Sequence, residues 1–544
     1  MRYLSENKRE DMRMKKRTAA RSMASLMGAA MVLTACGGGN TTAPTTGASS
    51  GGETQTASES AESGKITKTD IIVGQAADIV TLDPAGQQDT TSGVLMKHAY
   101  STLLDVDNEG QVVPDLAESY EMKSDTEYVF KLREDACFWD GTPVTAQDVK
   151  FSLDRAKRMP KTKSNTSKIE EVTVNGDHEV TIKLTEPYAA FKTIVTQHNL
   201  SILSEKAVTE AGDSYGDVDN LLGSGPFKVT EWVPNDHYTL VRNDNYWGEM
   251  PIATSITCRV IPEGSARTIA LEAGEIDVVW SVDPTDCANV ESNPDVKLLS
   301  QPSTGIDYVG MNTQKEKFSD KRVRQAINYA LDKQAFVDTI IEGRGLVANS
   351  YINAAIPGWT DEVEAYPYDP EKAKELLAEA GYPDGFECSI FVNGDLRTRS
   401  AQILQAQLAD VGIKVDISTY EWGALLDTLN AGEHEMFLLG WSNTSFDPDG
   451  STYQLFYSGN HGATGNRAFF SNDKVDELIL SAQRESEESK RMELYKELQF
   501  VLHDESPWCP LYYKENNVGV RADLKGFTLH AGAQHYLGNC HYEE

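Results

Sequence analysis

The stretch CSIFVNGDLRTRSAQILQAQLADVGIKVDISTYEWGALLDTLNAGEHEMFLLGWSNTSFDPDG, residues Cys388 to Gly450, switches its hydrophobic period repeatedly. Cys388 to Val392 predicts a strand. From about Thr398, the side chains Ala401, Leu404, Leu408 and Val411 recur at helical spacing, and Gly412 supplies a stop. Ile413, Val415 and Ile417 alternate with polar residues, as a strand does. Trp422 to Leu429 predicts a short helix, and Met436 to Leu439 a buried strand. Strand, helix, strand, helix, strand is the pattern of a parallel sheet with covered faces, so the fold class is α/β.

This geometry locates a site. In open parallel sheets, ligands bind beyond the carboxyl ends of the strands. The first strand here runs into Asn393, Arg397 and Arg399, the second into Tyr420 and Trp422, the third into Trp441, Asn443 and Thr444. Amides, aromatic rings and guanidinium groups would then line one edge, which is the composition of a binding wall. Chemistry is harder to find. Gly440-Trp441-Ser442-Asn443-Thr444 begins like a nucleophile elbow but lacks its last glycine, and the zinc-helix, P-loop and dinucleotide motifs are absent. Asp447 and Asp449 flank Pro448 and read as a turn whose carboxylates cap backbone amides. His535, Cys540 and His541 cluster near the C-terminus but read as a solvated tail. No catalytic residue, metal or cofactor is expected, and a tethered hydrolase would lack its nucleophile.

Working outward, Ser319 can cap a helix carrying Val323, Ala326, Ile327, Ala330 and Leu331. Asp369-Pro370 opens another, with Ala373, Leu376, Leu377 and Ala380 inward and Gly381 closing it. Earlier, Asp70 to Val73, Tyr128 to Leu132 and Tyr238 to Arg242 predict strands, and Thr145 caps a helix through Ala156. Asn175-Gly176 predicts a hairpin between Glu171–Val174 and Glu179–Leu184. The first 300 residues thus read as mixed α+β.

The chain has 544 residues, enough for two or more lobes. It carries 50 basic and 83 acidic residues, a formal charge of −33, which excludes nucleic acid as a natural partner. At the N-terminus, Lys15, Lys16, Arg17 and Arg21 precede the apolar run Met23 to Leu33, too short to span a bilayer but right for a signal-peptide core. Leu33-Thr34-Ala35-Cys36 resembles the lipobox of bacterial lipoproteins, which implies cleavage before Cys36 and its acylation. Residues 36–65 are rich in Gly, Ser and Thr and predict a flexible tether reaching about 30 Å. The expected location is the outer face of the cell membrane, lipid-anchored, on a Gram-positive surface rather than in a periplasm. Cys137, Cys258, Cys287, Cys388, Cys509 and Cys540 form no CxxC, and their pairing stays open.

Six motifs in order resemble those of the solute-binding proteins of ABC importers that take up peptides, nickel complexes and some oligosaccharides. They are Thr81-Leu82-Asp83-Pro84, Val113 to Ser119 (VPDLAES), Phe138 to Val149 (FWDGTPVTAQDV), Gly223 to Phe227 (GSGPF), Arg242 to Trp247 (RNDNYW) and Val323 to Ala326 (VRQA). The resemblance implies a two-lobed, periplasmic-binding-protein-like fold (type II, cluster C) with hinge strands and an extra subdomain in the first lobe. Hinges are expected near Ser303–Tyr308 and Leu511–Val518. That gives a signal peptide at 1–35, lobe I at 66–305 plus 515–544, and lobe II at 306–514. It also implies capture of a small peptide by lobe closure, delivery to ABC permease membrane subunits, and action as a monomer. An oligosaccharide or a nickel or other metal chelate is the alternative ligand.

Thr419-Tyr420-Glu421-Trp422 with Ala431-Gly432-Glu433-His434 is similar to dipeptide-binding members. By that similarity, Arg399 would hold the peptide carboxylate, with Arg397 the alternative. Where peptide binders carry an aspartate for the ligand amine, this chain has Thr444. A hydroxyl does not neutralise a buried ammonium, so either Asp447 reaches in or the ligand has no free amine there, as in a blocked or γ-linked peptide or a sugar. Thr90, Tyr308 and Asn312 complete the candidate ligand-contacting set.

Overall fold

The computed structural model describes residues 65–544; the segments expected to be a signal peptide and a tether, with Cys36, fall outside them. One mixed sheet of 11 strands organises the chain. Its middle is a pair of long antiparallel strands, Val296–Met311 and Trp508–Arg521. Val278–Val279 and Asp70–Gln75 extend the sheet from the Gly519–Val520 end. Met436–Ser442 extends it from Gly305–Met311, followed by Glu387–Val392 and Lys414–Thr419. The register of the central pair shifts between Pro302 and Ile306. Each long strand therefore gives one half to each side of the molecule.

The Cys388–Gly450 reading holds in outline. Glu387–Val392 runs parallel to both Lys414–Thr419 and Met436–Ser442. Helices Gly394–Ala409 and Trp422–Asn430 make the crossovers. Leu404, Leu408, Ile390, Leu438 and Met436 are fully buried in one core on this sheet, and Leu425, Leu429, Phe437 and Leu439 in another. Burial of such side chains contributes roughly 1.5–3 kcal/mol each before entropy is charged against it. A four-stranded antiparallel sheet forms a separate layer from Ala117–Ser124, Glu127–Leu132, Glu179–Leu184 and Ile169–Gly176. Helix Ala146–Ala156 covers it, and Phe130, Val172, Val180 and Ile182 are sealed between them.

Local expectations need three corrections. The helix at Lys321–Ala330 is capped by Asp320, whose carboxylate accepts from the Arg322 N–H at 2.9 Å, while Ser319 ends a short preceding helix. The helix Gly394–Ala409 starts before Thr398; its first turn, Gly394 to Arg397, holds a single apolar residue, Leu396, too few to show a period in the sequence. Asn175 and Gly176 end a strand, and the hairpin turn is Asp177-His178, since Gly176 pairs with Glu179. The six cysteines among the described residues are free thiols. Among the described residues no helix is long and apolar enough to cross a membrane.

Candidate ligand-binding cleft

A cavity of about 380 Å³ opens at the carboxyl ends of the parallel strands, within the range of roughly 300–1,000 Å³ usual for small-molecule sites. One wall comes from this sheet and brings Asn393, Arg397, Trp422, Trp441 and Thr444 together, with Arg467 from a later loop. The facing wall comes from Gln87–Thr91, Gln197–Asn199, Trp280 and the C-terminal Ala533–His535, with Lys514–Val518 of the long strand between the two walls.

Backbone geometry places these groups. The Asn393 amide donates to the Tyr420 carbonyl at 3.0 Å, tying two strand ends together. Gly394, at φ +73, then turns the chain into its helix, which a β-carbon would strain. Arg397 falls in the first turn. Its guanidinium lies 5.9 Å from the Trp422 ring centre and 3.8 Å from an Asp307 oxygen. Asp307 is buried in the long strand, and Lys514 approaches its other oxygen to 2.9 Å, so two cavity cations share one carboxylate. The Trp441 indole donates to the Gly450 carbonyl at 3.1 Å, which fixes the ring as a wall. Thr444 donates to the Gln197 side chain at 3.0 Å across the cleft.

Across the cavity, Asp89 caps the helix Thr90–Ala99 through the Ser92 N–H at 2.9 Å, which puts Thr90 on the cavity edge. Burial raises the Asp89 carboxyl above the ordinary range, with the Ser92 amide and the Trp422 indole acting in the other direction. Burial also pushes His198 and His535 down to about 3, so both are neutral rings at physiological pH. His535 stacks on Trp280 at 5.0 Å.

Six candidates lie outside the cavity lining, each for a visible reason. Arg399 pairs with Asp283 at 2.6 Å instead of facing the cavity. The Tyr420 ring packs on Phe391 at 4.9 Å. Asn443 staples its own loop, donating at 2.7 Å to both the Asp447 carbonyl and the Ser451 hydroxyl. Asp447 does not reach in: its carboxylate receives two hydrogen bonds from Arg491, at 2.9 and 2.5 Å, and a third from the Asp449 N–H. Tyr308 is buried flat against Trp508 at 3.4 Å. Asn312 is buried and donates to the Gly432 and His434 carbonyls.

The Asp447–Asp449 pair is a buried structural knot. Tyr188 donates to Asp449 at 2.6 Å and Gln483 at 2.9 Å. Burial and the neighbouring Asp447 charge push Asp449 up to about 6. The C-terminus is not the solvated tail expected from the sequence: His535, Cys540 and His541 are buried, His541 bonds its own neighbours Asn539 and Glu543, and among the described residues no group of three or more His, Cys, Asp or Glu could hold a metal ion.

Sequence reasoning missed Asp89, Trp280, Arg467 and Lys514, which reach the cavity from distant segments. Only Arg467 left a local trace: a lone cation between Asn466 and the apolar Ala468-Phe469-Phe470.

Comparison with known proteins bears on this architecture directly. The profile of the bacterial extracellular solute-binding proteins, family 5 Middle, matches residues 111–463. The glutathione-binding protein GsiB of Escherichia coli (strain K12) is 31% identical over 479 residues, covering 85% of this chain and 92% of that protein. The dipeptide-binding protein of Escherichia coli (strain K12) is 31% identical over 464 residues, covering 80% and 86%. Among solved structures, the periplasmic binding protein DppA of Helicobacter pylori, in complex with the peptide STSA, aligns with a TM-score of 0.84 at 28% identity, covering 88% of this chain and 99% of that one. The oligopeptide-binding protein AppA of Bacillus subtilis, in complex with a nonapeptide, aligns at 0.81 and 26% identity, covering 89% and 100%. The α/β fold is accordingly that of the two-lobed periplasmic binding proteins, and the chain belongs to the bacterial extracellular solute-binding proteins, family 5.

Proposed function

We propose that the protein is the capture subunit of an ABC importer. It takes a small peptide into the cavity by lobe closure and hands it to the permease in the membrane. The lobes are 66–305 with 515–544, and 306–514. They hinge near Ser303–Tyr308 and Leu511–Val518, where the central strands pass from one half of the sheet to the other. The protein acts as a monomer without altering its ligand, held to the outer face of the cell membrane by a lipid on Cys36.

The observation that carries this reading is the cavity itself. Indoles and guanidinium groups stand at the carboxyl ends of the strands, facing a second wall across a bonded seam. Several contacts cross that seam: Arg399 to Asp283 at 2.6 Å, Arg344 to Glu291 at 2.7 Å, Tyr188 to Asp449 at 2.6 Å, and Gln454 to Asn165 at 2.7 Å. Such a pattern suits a closed trap. Relatives that bind glutathione, dipeptides and longer peptides support the peptide class. Thr444 argues against an α-amine anchored at that point, so the cavity is expected to hold its peptide by other groups.

Trp280, Trp422 and Trp441 line the cavity, so indole emission reports its occupancy. Titration with a casein digest is expected to give a saturable emission change. Saturation by a mixture of oligosaccharides, with no response to the digest, would overturn the peptide reading.

A further inference from the structure

Arg467 is only 6% exposed, yet it lines the cavity. Its backbone is rigidly held: its N–H donates to the Gly465 carbonyl at 2.8 Å, and its carbonyl meets His434 Nε2 at 2.8 Å. Asn466 beside it donates to the Tyr457 and Phe470 carbonyls. The Arg467 Nε donates to the Asn430 side chain at 3.0 Å, which fixes the plane of the guanidinium and leaves its two terminal nitrogens to the cavity.

Other buried arginines have their forks filled. Arg491 has Asp447, Arg324 has Glu505 and backbone carbonyls, and Arg267 has the carbonyls of Ile261, Pro262 and Ser281. Within the cavity, Arg397 and Lys514 share Asp307. Among the described residues no ion pair forms at Arg467, and Asp89 reaches it only through its field. A buried guanidinium without a counter-charge is costly, and a carboxylate accepting two parallel hydrogen bonds removes that cost. Arg397 lines the same cavity, and the Tyr308 phenol lies in the fields of Arg467, Arg397 and Asp307, so both guanidinium groups bear on this corner.

We propose that Arg467 is the anion anchor of the cavity, gripping a carboxylate of the bound peptide with its two terminal nitrogens, so that the ligand enters acid end first toward this corner. The assignment rests on the peptide-receptor reading and names the recognition group within it. It also gives the ligand carboxylate a partner other than Arg399, which Asp283 already occupies.

The test loads the whole protein with a casein digest, or with the same digest after methyl esterification of its carboxyl groups. After desalting, mass spectrometry counts the retained peptides. The wild type is expected to retain the esterified digest about 30-fold less, the size of effect for one truncated buried charge pair. Arg467→Gln is expected to lose retention of the untreated digest by a similar factor, and Arg467→Lys by less, since it keeps the charge without the fork. Melting temperatures check that each variant folds, and the esterification arm needs no variant. Equal retention of both digests by the wild type, or undiminished retention by a folded Arg467→Gln, overturns the anchor alone. Retention of no peptide by the wild type overturns the peptide reading and the anchor with it.

Discussion

Arg397 and Arg399 stand two residues apart at the start of one helix, and about 200° of helical rotation separates their side chains. Only one of them can face the cleft, and it is Arg397; Arg399 turns to Asp283. Sequence reading saw both cations at the correct strand end but had no phase for the helix, because its first turn, with Leu396 as the single apolar residue, hides where the helix begins. Asp447 is a second residue whose partner lies far off in the chain, at Arg491. Both side chains are about nine-tenths buried. Asp447→Ala leaves the Arg491 charge uncompensated and should destabilise the protein by about 3–5 kcal/mol, the usual cost of breaking a buried pair. Urea unfolding reads this directly. A loss of ligand affinity without loss of stability would instead return Asp447 to the binding site.

At the scale of elements, the alternating segment was legible because each strand and helix there keeps one clean period, and caps such as Asp369 with Pro370 mark their own ends. The long central strands were not legible. Val296–Met311 starts at buried Val296, runs exposed or partly exposed through Pro302 and is continuously buried from Ser303 onward, so no single period spans it. The cavity shares that difficulty, since Arg467, Lys514 and Asp89 arrive from a loop, a long strand and a helix cap that only the sheet brings together. These elements meet across the seam through Arg399 and Asp283. If that pair holds the closed form, Arg399→Ala should weaken every ligand by a similar factor, about tenfold at most for a partly exposed ion pair lost together with its ordering. Calorimetric titration with untreated and esterified peptides checks it. A loss confined to the untreated peptides would make Arg399 the carboxylate anchor after all.

For the whole molecule, buried histidines set the acid limit. Burial pushes His98, His434 and His530 down to about 4, and His198 and His535 to about 3, from an ordinary 6.5. Each is lowered in the fold, so its contribution is complete above pH 6.5 and is lost as pH falls toward 4 and then 3. Asp89, Asp115 and Asp449 are raised by burial, the last two to about 7 and about 6, and act in the opposite direction over part of that window, but three carboxylates oppose five rings. The melting temperature should therefore fall from pH 6.5 to pH 4 in scanning calorimetry. A melting temperature that is flat or rising on acidification would mean these rings are not held neutral.

The fold places indoles, amides and cations where a peptide would lie, and peptide capture is the claim on which the rest depends. Its most direct test loads the purified protein with an equimolar mixture of short peptides, oligosaccharides and nickel–histidine, desalts it, and identifies by mass spectrometry what denaturation releases. The expected result is peptide alone, approaching one per chain. Release of sugar or of nickel–histidine without peptide, or of nothing at all, would contradict the account.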